Sequence, residues 1–210
     1  MHSPWLTIPL EDYEAHMSLP AVGQAQMLAE QLGKLVAQHA PTSVAIIGCA
    51  GGNGLDRLES TCVERVVAID INPEYIAVCR RRFAKRLANI ELHCADVESS
   101  QLRFEPVALI YAALIFEYAD VVATLTTLRR NLRPDGTLAV LLQLTHADQR
   151  AITPTEYRSV SALARAFKLV APADLRAAAS LAGFEFDNSS RIDLRSGKQF
   201  LLQTFKSTRQ

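Results

Sequence analysis

Residues 44–55 read VAIIGCAGGNGL, and this stretch decides which fold the chain is expected to adopt. A short, continuous apolar run is typical of a strand that is buried on both faces of a parallel sheet. Glycines follow at once, and glycine lets the backbone turn sharply and approach a ligand closely. A buried strand that ends in a glycine-rich loop predicts a ligand site at its carboxyl end.

Strand and helix patterns alternate around this stretch. Helices are predicted at residues 21–39, 73–88 and 120–132, with a short one from about Gly54. Four further buried strands are predicted at RVVAID (65–70), IELHCAD (90–96), PVALIYAAL (106–114) and GTLAVLLQL (136–144). Such alternation implies parallel strands with helices on both faces of the sheet.

The C-terminal part departs from this alternation. A helix that ends at Gly183 is followed by two strands, with only Arg195 to Lys198 between them. A connection this short is typical of a hairpin, so the last two strands are expected to be antiparallel. The predicted fold class is α/β: a Rossmann-like three-layer α/β/α sandwich with a mostly parallel seven-stranded sheet and a C-terminal antiparallel hairpin.

The chain is expected to form a single domain over residues 1–210. Its predicted parts are an N-terminal arm and helix (1–40), a nucleoside-binding core (41–143), a lid (144–171), and a C-terminal helix with the hairpin (172–210). The lid is predicted because a connection of about 28 residues is long for a compact domain, and long connections often cover binding sites.

Composition excludes several classes of protein. Apolar residues make up 49% of the 210 residues and the formal net charge is zero, so neither nucleic acid nor an anionic membrane is favoured as a partner. The longest apolar run, residues 107–116, is too short to span a bilayer. The first residues carry acids where a signal peptide has a basic segment, and a cytoplasmic location is predicted.

The cysteines do not predict a metal site. None of Cys49, Cys62, Cys79 and Cys94 belongs to a C-x-x-C pair or lies near a histidine at zinc-finger spacing. Buried free thiols are the expected state.

The glycine loop alone does not identify its ligand. A P-loop requires a lysine after its last glycine, and none follows Gly54. The dinucleotide motif G-x-G-x-x-G fails when started from Gly48, and also when started from Gly52.

Two carboxylates at strand ends narrow the choice. Asp70 ends the second strand, where a carboxylate can accept hydrogen bonds from both ribose hydroxyls. Its alternative role, capping the next helix, suits Asn72 better because Asn72 directly precedes Pro73. Asp96 ends the third strand and can accept from an exocyclic adenine amine, or it can serve as a turn residue. Together the loop and the two acids predict a nucleoside site.

This arrangement resembles that of class I S-adenosylmethionine-dependent methyltransferases. Their glycine motif is similar to VAIIGCAGG, their ribose acid to Asp70 in VVAIDINP, and their adenine acid to Asp96 in HCADVES. LRPDGTLAVLL and LAGFEF with the terminal hairpin resemble later parts of the family, and the likeness covers about residues 41–206. The N-terminal IPLEDYEAHMSLPAVGQ looks like the lead-in of small members.

The resemblance implies S-adenosyl-L-methionine as cofactor, no metal, and a specific set of binding residues. The implied residues are Gly48, Cys49, Ala50, Gly52, Asp70, Ile71, Asp96, Val97 and Ala112. The chain departs from the family at Ile46, where an acid is frequent, and at Ala50, where the central glycine lies. Both positions bear on how the methionyl end of the cofactor is held.

Methyl transfer by in-line displacement depends mainly on positioning, so a dedicated catalytic residue is optional. The weak candidates are Glu117, Tyr118 and His16, and for Glu117 the favoured interpretation is a first-turn acid of the next helix. Tyr13 and Met17 are expected to fold over the cofactor, and His146 and Tyr157 to lie in the lid.

A small molecule is the expected acceptor. The segment Tyr111-Ala112-Ala113-Leu114 lacks the D/N-P-P-Y motif of enzymes that methylate adenine or glutamine amides. The basic cluster formed by residues 80–82, Lys85 and Arg86 is predicted to be a solvated helix face and not an RNA site.

Two other functions and the state of assembly stay open. The alternative hypotheses are a non-catalytic S-adenosylmethionine-binding protein and, with less support, a nicotinamide-dependent oxidoreductase. The helix at residues 21–39 is expected either to cover the pocket or to form a dimer contact, so the protein is a monomer or a homodimer.

Overall fold

The computed structural model describes residues 3–144 and 150–208. Seven strands form one sheet in the order β3-β2-β1-β4-β5-β7-β6. The strands are β1 (Ser43–Ile47), β2 (Arg65–Asp70), β3 (Ile90–Cys94), β4 (Val107–Ala113), β5 (Leu132–Leu144), β6 (Phe184–Asp193) and β7 (Gln199–Ser207). The first five run parallel, and β7 is antiparallel to both of its neighbours. The predicted fold class is confirmed.

Helices flank the sheet on both faces. They are α1 (Leu10–Ser18), α2 (Gln24–His39), α3 (Pro73–Phe83), α4 (Val121–Arg130), α5 (Leu163–Ala166) and α6 (Pro172–Leu181). Short 3-10 helices cover Pro4–Leu6, Leu55–Leu58 and Arg158–Ala162. The loop after β1 therefore leads into a single 3-10 turn, where a short helix was predicted.

Alternate residues of the strands build the two halves of the core. Val44 and Ile46 of β1 pack with α2 and α3 on one face, and Ala45 and Ile47 pack with α4 and α6 on the other. The period of two along a strand produces this division, because successive side chains point to opposite faces. The apolar side of α2 thus packs against the sheet of the same chain. The sequence alone had not distinguished between a helix that covers the pocket and one that forms a dimer contact.

Two predicted boundaries differ from the structure by four or more residues. Helix α3 ends at Phe83, five residues before the predicted end, and residues 84–88 form turns. Strand β5 begins at Leu132, which pairs with Val107, and regular pairing resumes only at Thr137. Between them Pro134 offers no N–H, and Asp135 has a φ of 61°, so these residues bulge out of the ladder.

The antiparallel β7 brings the terminal hairpin to the edge of the sheet where the parallel strands end. Gln199 at the start of β7 pairs with Leu144, the last residue of β5. The turn before β7, including Lys198, therefore lies beside the carboxyl ends of β4 and β5. Within the described part of the chain, no helix has the length and apolar character needed to cross a bilayer.

Candidate functional site

A cavity follows the carboxyl edge of the sheet from β3 to β7. Its volume is about 780 Å³, which lies within the range of cavities that enclose small-molecule ligands. Asp70 and Asp96 line it on the side of β2 and β3, and Glu117 and Lys198 line it on the side of β4 to β7. The sheet order, rather than proximity in sequence, brings these four residues to one cavity.

The loop after β1 is held in a left-handed conformation against β2. The backbone N–H groups of Gly48 and Cys49 donate to the carbonyl of Ile69 over 2.8 and 3.0 Å. Gly48 has a φ of 69°, and a Cβ at this position would collide with Ile115. Ala50 also has a positive φ, 47°, which an alanine adopts only at a cost. The loop therefore presents backbone to the cavity at Gly48 and a small side chain at Ala50.

Asp70 fixes this loop to the end of β2. Its Oδ2 accepts from the N–H of Ala50 at 2.8 Å, and its Oδ1 accepts from the N–H of Asn72 at 2.9 Å. Burial raises the pKa of this carboxyl group, while hydrogen bonds from Asn72, Ala50 and Ile71 act in the opposite direction. A carboxylate has about four acceptor positions. At most three of them are used here, so capacity remains for a hydroxyl of a ribose.

Asp96 lies two residues beyond the end of β3 and lines the same cavity. Its Oδ1 accepts from the N–H of Glu98 at 2.9 Å, which makes it a turn residue as well as a cavity residue. Ile71 and Val97, which follow the two acids, also line the cavity. The nucleoside end predicted from the sequence is thus assembled in one place.

The other residues implied by the resemblance lie close by but do not all reach the large cavity. Cys49 and Gly52 line a smaller adjoining pocket of about 290 Å³. Ala112 is fully buried in the core, and its neighbour Ala113 lines the large cavity instead. Ile46 is buried and also lines the smaller pocket, where its apolar side chain offers no polar group at the position where the family often has an acid.

Glu117 lies in the wall of the cavity and not in the first turn of a helix. Helix α4 begins at Val121, and its N-cap is Asp120, whose side chain accepts from the N–H of Ala123. Glu117 is 1% exposed, and its Oε1 accepts from the N–H of Gln143 at 2.7 Å. Its Oε2 is buried without a partner among the described residues. Burial raises the pKa of this carboxyl group to about 7. The first-turn interpretation was wrong because the chain makes a tight turn after β4 before the helix starts.

Two cavity residues were missed by the sequence analysis. Lys198 is buried, and its Nζ donates to the carbonyl of Ala151 at 2.8 Å and to Oε1 of Gln143 at 3.5 Å. Burial lowers the pKa of this amine to about 8. Gln143 interrupts the apolar pattern near the end of β5, and that single polar residue was the available signal. Lys198 had no local signal, because a lysine in a hairpin turn is usually exposed.

An N-terminal arm closes one side of the cavity with aromatic rings. Trp5 packs edge-on against Tyr13 and Tyr118, with ring centroids 5.4 and 5.1 Å apart. The arm is tied to α3, because Nδ2 of Asn72 donates to the carbonyl of Trp5 at 2.8 Å. Asn72 also caps α3 by accepting from the N–H of Glu74, as predicted. Tyr118 thus forms part of an aromatic wall.

His16 and Met17 also line the cavity, on α1. Nδ1 of His16 lies 2.9 Å from the hydroxyl of Thr155, and burial together with Lys198 lowers the pKa of the imidazole. The neutral form of His16 is therefore favoured, and its ring is held by one hydrogen bond.

The described part of the predicted lid contacts the N-terminal arm. Val160 and Leu163 pack against Ile8, and Ser159 donates to Oδ2 of Asp12 at 2.6 Å. Tyr157 belongs to this apolar contact and does not line the cavity. His146, the other residue predicted for this segment, lies outside the described residues.

The basic cluster on α3 is partly used within the chain. Arg82 is paired with Glu14 and also donates to the carbonyl of Gly51 at 3.1 Å, and Arg86 is paired with Glu59. All four cysteines are free, but only Cys49 and Cys79 are buried, so the prediction of buried thiols was wrong for Cys62 and Cys94. Over residues 3–144 and 150–208, no group of His, Cys, Asp and Glu side chains is arranged to hold a metal ion.

Comparison with known proteins identifies the class. Residues 44–136 match the family model of a methyltransferase domain. This segment runs from β1 to the start of β5 and contains the glycine loop, Asp70, Asp96 and Glu117. No curated protein sequence matches the chain at a significant level.

Solved structures of the same fold cover most of the chain. The N-methyltransferase NodS from Bradyrhizobium japonicum WM9, in complex with S-adenosylhomocysteine, is 18% identical, with 100% of this chain and 94% of that chain covered and a TM-score of 0.63. The 1,6-didemethyltoxoflavin-N1-methyltransferase from Burkholderia thailandensis is also 18% identical, with coverages of 87% and 79% and a TM-score of 0.65. The cyclase SpnF is 13% identical, with coverages of 86% and 82% and a TM-score of 0.66.

Residues 44–136 match a methyltransferase domain, and the sheet order is Rossmann-like. The chain is similar to class I S-adenosylmethionine-dependent methyltransferases in this domain and in its fold, and S-adenosylmethionine is the expected cofactor. The resemblance noted in the sequence is confirmed, and the nicotinamide alternative loses its support.

Proposed function

We propose that this protein transfers the methyl group of S-adenosylmethionine to a small-molecule acceptor. The observation that carries the proposal is the extent of the cavity. It reaches from Asp70 and Asp96 at one end to Glu117 and Lys198 at the other. A protein that only binds the cofactor needs the first end, whereas a transferase needs space and polar groups for a second molecule beside it.

Asp70 would hold the ribose and Asp96 the adenine amine, and the backbone of Gly48 to Ala50 would face the methionyl part. The free acceptor positions of Asp70 and the small loop residues fit this assignment. When bound, the cofactor supplies a methyl group that its sulfonium has already made electrophilic. The chain's own contribution is to orient the two molecules and to exclude water.

The aromatic wall supports the small-molecule part of the proposal. Trp5 and Tyr118 on one side and Val160, Leu163 and Phe167 on the other line the acceptor end, and this apolar wall suits a small molecule. One solved relative in fold holds 1,6-didemethyltoxoflavin, a small molecule, together with S-adenosylhomocysteine. Cytoplasmic location and the monomer or homodimer state stay predictions.

Calorimetry on the purified protein tests the cofactor half. S-adenosylmethionine and S-adenosylhomocysteine are expected to bind in the micromolar range, about −8 kcal/mol, and NAD not at all. Asp70→Ala is expected to weaken both by tenfold or more, while Glu74→Gln, an exposed acid on α3, leaves them unchanged. Equal affinity in wild type and Asp70→Ala would count against the assigned pocket.

A second function, cofactor binding without catalysis, has one observation in its favour. Ile46 and Ala50 depart from the family where the methionyl group is held, and Ile46 is buried in the core. Moreover, the fold does not fix the reaction, since the cyclase SpnF shares it. Release of S-adenosylhomocysteine in the presence of an acceptor separates the two functions, because a binding protein produces none.

A further inference from the structure

The acceptor end of the cavity is built from three strands that lie side by side. Glu117 follows β4, Gln143 lies near the end of β5, and Lys198 precedes β7. These strands are neighbours in the order β4-β5-β7, on the opposite side of β1 from Asp70 and Asp96. The three side chains are 1%, 6% and 6% exposed, respectively, so they belong to the interior of the protein.

Only one of the two carboxylate oxygens of Glu117 has a hydrogen-bond partner among the described residues. Its Oε1 accepts from the N–H of Gln143, but Oε2 has no hydrogen-bond partner within residues 3–144 and 150–208. An unpartnered oxygen of a buried carboxyl group is unfavourable, and such groups often serve a ligand. The raised pKa of about 7 follows from the same burial.

Lys198 also lacks an oppositely charged partner among the described residues. Its ammonium group donates to two neutral acceptors, the carbonyl of Ala151 and Oε1 of Gln143. Among the described residues, no carboxylate lies within ion-pairing distance of it. Its positive charge and third N–H are therefore available to an anionic group.

Gln143 keeps the two charged residues apart. Its backbone N–H binds Glu117 and its side-chain oxygen binds Lys198, so both are anchored to one residue without forming an ion pair. A buried ionisable group without an oppositely charged partner keeps its own desolvation penalty. A molecule that carries the complementary charges would remove both penalties at once.

The space between these groups has an apolar wall. The ring of Tyr118 packs edge-on against Trp5 at 5.1 Å and against Phe167 at 5.9 Å, and all three line the cavity. A ligand held here by two charged ends would place its carbon framework against these rings.

We propose that the methyl acceptor is a small amine that also carries a carboxylate, with its amine at Glu117 and its carboxylate at Lys198. This inference rests on the proposed function, since it names the acceptor of that reaction. It also assigns the atom that is methylated, which is the amine nitrogen.

Methyl transfer to the amine begins with a proton transfer. The ammonium form of the acceptor loses one proton to the carboxylate of Glu117, which leaves a nitrogen lone pair. That lone pair forms a bond to the methyl carbon, while the bond from this carbon to sulfur breaks and its electron pair stays on sulfur. The products are the N-methylated ammonium compound and the neutral thioether S-adenosylhomocysteine. Glu117 later returns its proton to water.

Matched ligands test the two ends separately. Phenylalanine, 3-(aminomethyl)benzoate and 4-aminobutyrate are titrated by calorimetry into protein saturated with S-adenosylhomocysteine. Each is compared with the analogue that lacks the amine and the analogue that lacks the carboxylate, such as 3-phenylpropionate and phenethylamine. At least one aminocarboxylate is expected to bind about tenfold or more tightly than both of its analogues, because each missing group leaves a buried protein group unpaired.

Variants identify the residues. Glu117→Gln is expected to abolish the preference for the amine and to keep the preference for the carboxylate, and Lys198→Met to do the reverse. Glu30→Gln and Lys34→Met remove exposed charges from α2 and are expected to change neither preference. Equal binding of an aminocarboxylate and its deaminated analogue, or no binding by any of the three, overturns the proposal.

Cofactor binding and acceptor methylation, measured on the same protein, distinguish a failure of this proposal from a failure of the proposed function. If neither sulfur nucleoside binds, the proposed function itself fails. If S-adenosylhomocysteine binds and a phenol or a thiol is methylated while the aminocarboxylates are not, the methyltransferase function stands and the proposed acceptor is wrong.

Discussion

The backbone N–H of Ala50 donates to Oδ2 of Asp70 over 2.8 Å, and this bond joins the loop after β1 to the end of β2. The second oxygen of Asp70 accepts from Asn72, so the carboxylate organises both segments before any ligand arrives. A site that is already ordered loses less conformational entropy on binding. Asp70 is therefore expected to contribute to stability as well as to cofactor affinity.

Asp70→Asn separates these two contributions only in part. An amide directs an N–H toward one of the two backbone donors, so one hydrogen bond is lost and two donors face each other. The free energy of unfolding is expected to fall by about 1–3 kcal/mol. Affinity for S-adenosylmethionine is expected to fall tenfold or more. Denaturant titration and calorimetry measure the two effects, with Glu74→Gln as the control.

Ala50→Gly tests the backbone of the glycine loop. Ala50 has a φ of 47°, and a left-handed alanine destabilises the folded state by about 1–2 kcal/mol. Glycine removes this strain, but its greater flexibility in the unfolded chain offsets about 0.5–1 kcal/mol of the gain. The variant is expected to be more stable by up to about 1 kcal/mol and to bind S-adenosylmethionine at least as tightly.

Ala40→Gly is the matched control for this prediction. Ala40 has a φ of 43° at the C-terminal end of α2, is exposed, and does not line the cavity. A similar gain in stability with unchanged cofactor affinity is expected. Weaker binding by Ala50→Gly alone would mean that the alanine methyl group contacts the ligand.

Glu117→Gln is expected to change how stability depends on pH. Burial raises the pKa of Glu117 to about 7 from 4.5, so the folded protein binds the proton more tightly than the unfolded chain. Its contribution to stability is complete below pH 4.5 and is lost as pH rises through 7. The shift corresponds to about 3 kcal/mol.

Unfolding free energies of wild type and Glu117→Gln are therefore expected to be close at pH 4.5, with the variant becoming more stable relative to wild type toward pH 8. Chemical denaturation across this range measures the difference. Glu30→Gln, which removes an exposed acid, is expected to run parallel to wild type. Parallel curves for Glu117→Gln would contradict the raised pKa.

Asn72 links the N-terminal arm to the cofactor end, and two substitutions divide its roles. Serine keeps a side-chain acceptor for the cap of α3 but loses the bond to the carbonyl of Trp5, whereas alanine loses both. Asn72→Ala is expected to lower stability by about 1 kcal/mol more than Asn72→Ser. In both variants the amides of residues 5–8 are expected to exchange faster with solvent. Unchanged exchange would show that the aromatic contacts alone hold the arm.

Much of the cofactor end could be predicted from the sequence, because the patterns that indicate it are local. The apolar run before Gly48 and the acids that end β2 and β3 each appear within a few residues. Parallel strands place their carboxyl ends at one edge of the sheet, so three local patterns predicted one site. Ala112 shows the limit of this reasoning, since strand position alone did not reveal that its side chain faces the core.

The acceptor end was decided by tertiary structure. Glu117 was recognised as a candidate, but its burial and its bond to Gln143 depend on the pairing of β4 with β5. Lys198 reaches the cavity only because β7 runs antiparallel beside β5 and returns the hairpin turn to the carboxyl edge.

The sequence by itself determined the alternation of strands and helices, the glycine loop, and the two strand-end acids, because hydrophobic periodicity and turn residues act over short distances along the chain. Strand order, the burial of Glu117 and the approach of Lys198 were decided only by packing. These features depend on contacts between residues far apart in sequence, and a local pattern does not record which distant segment will cover it.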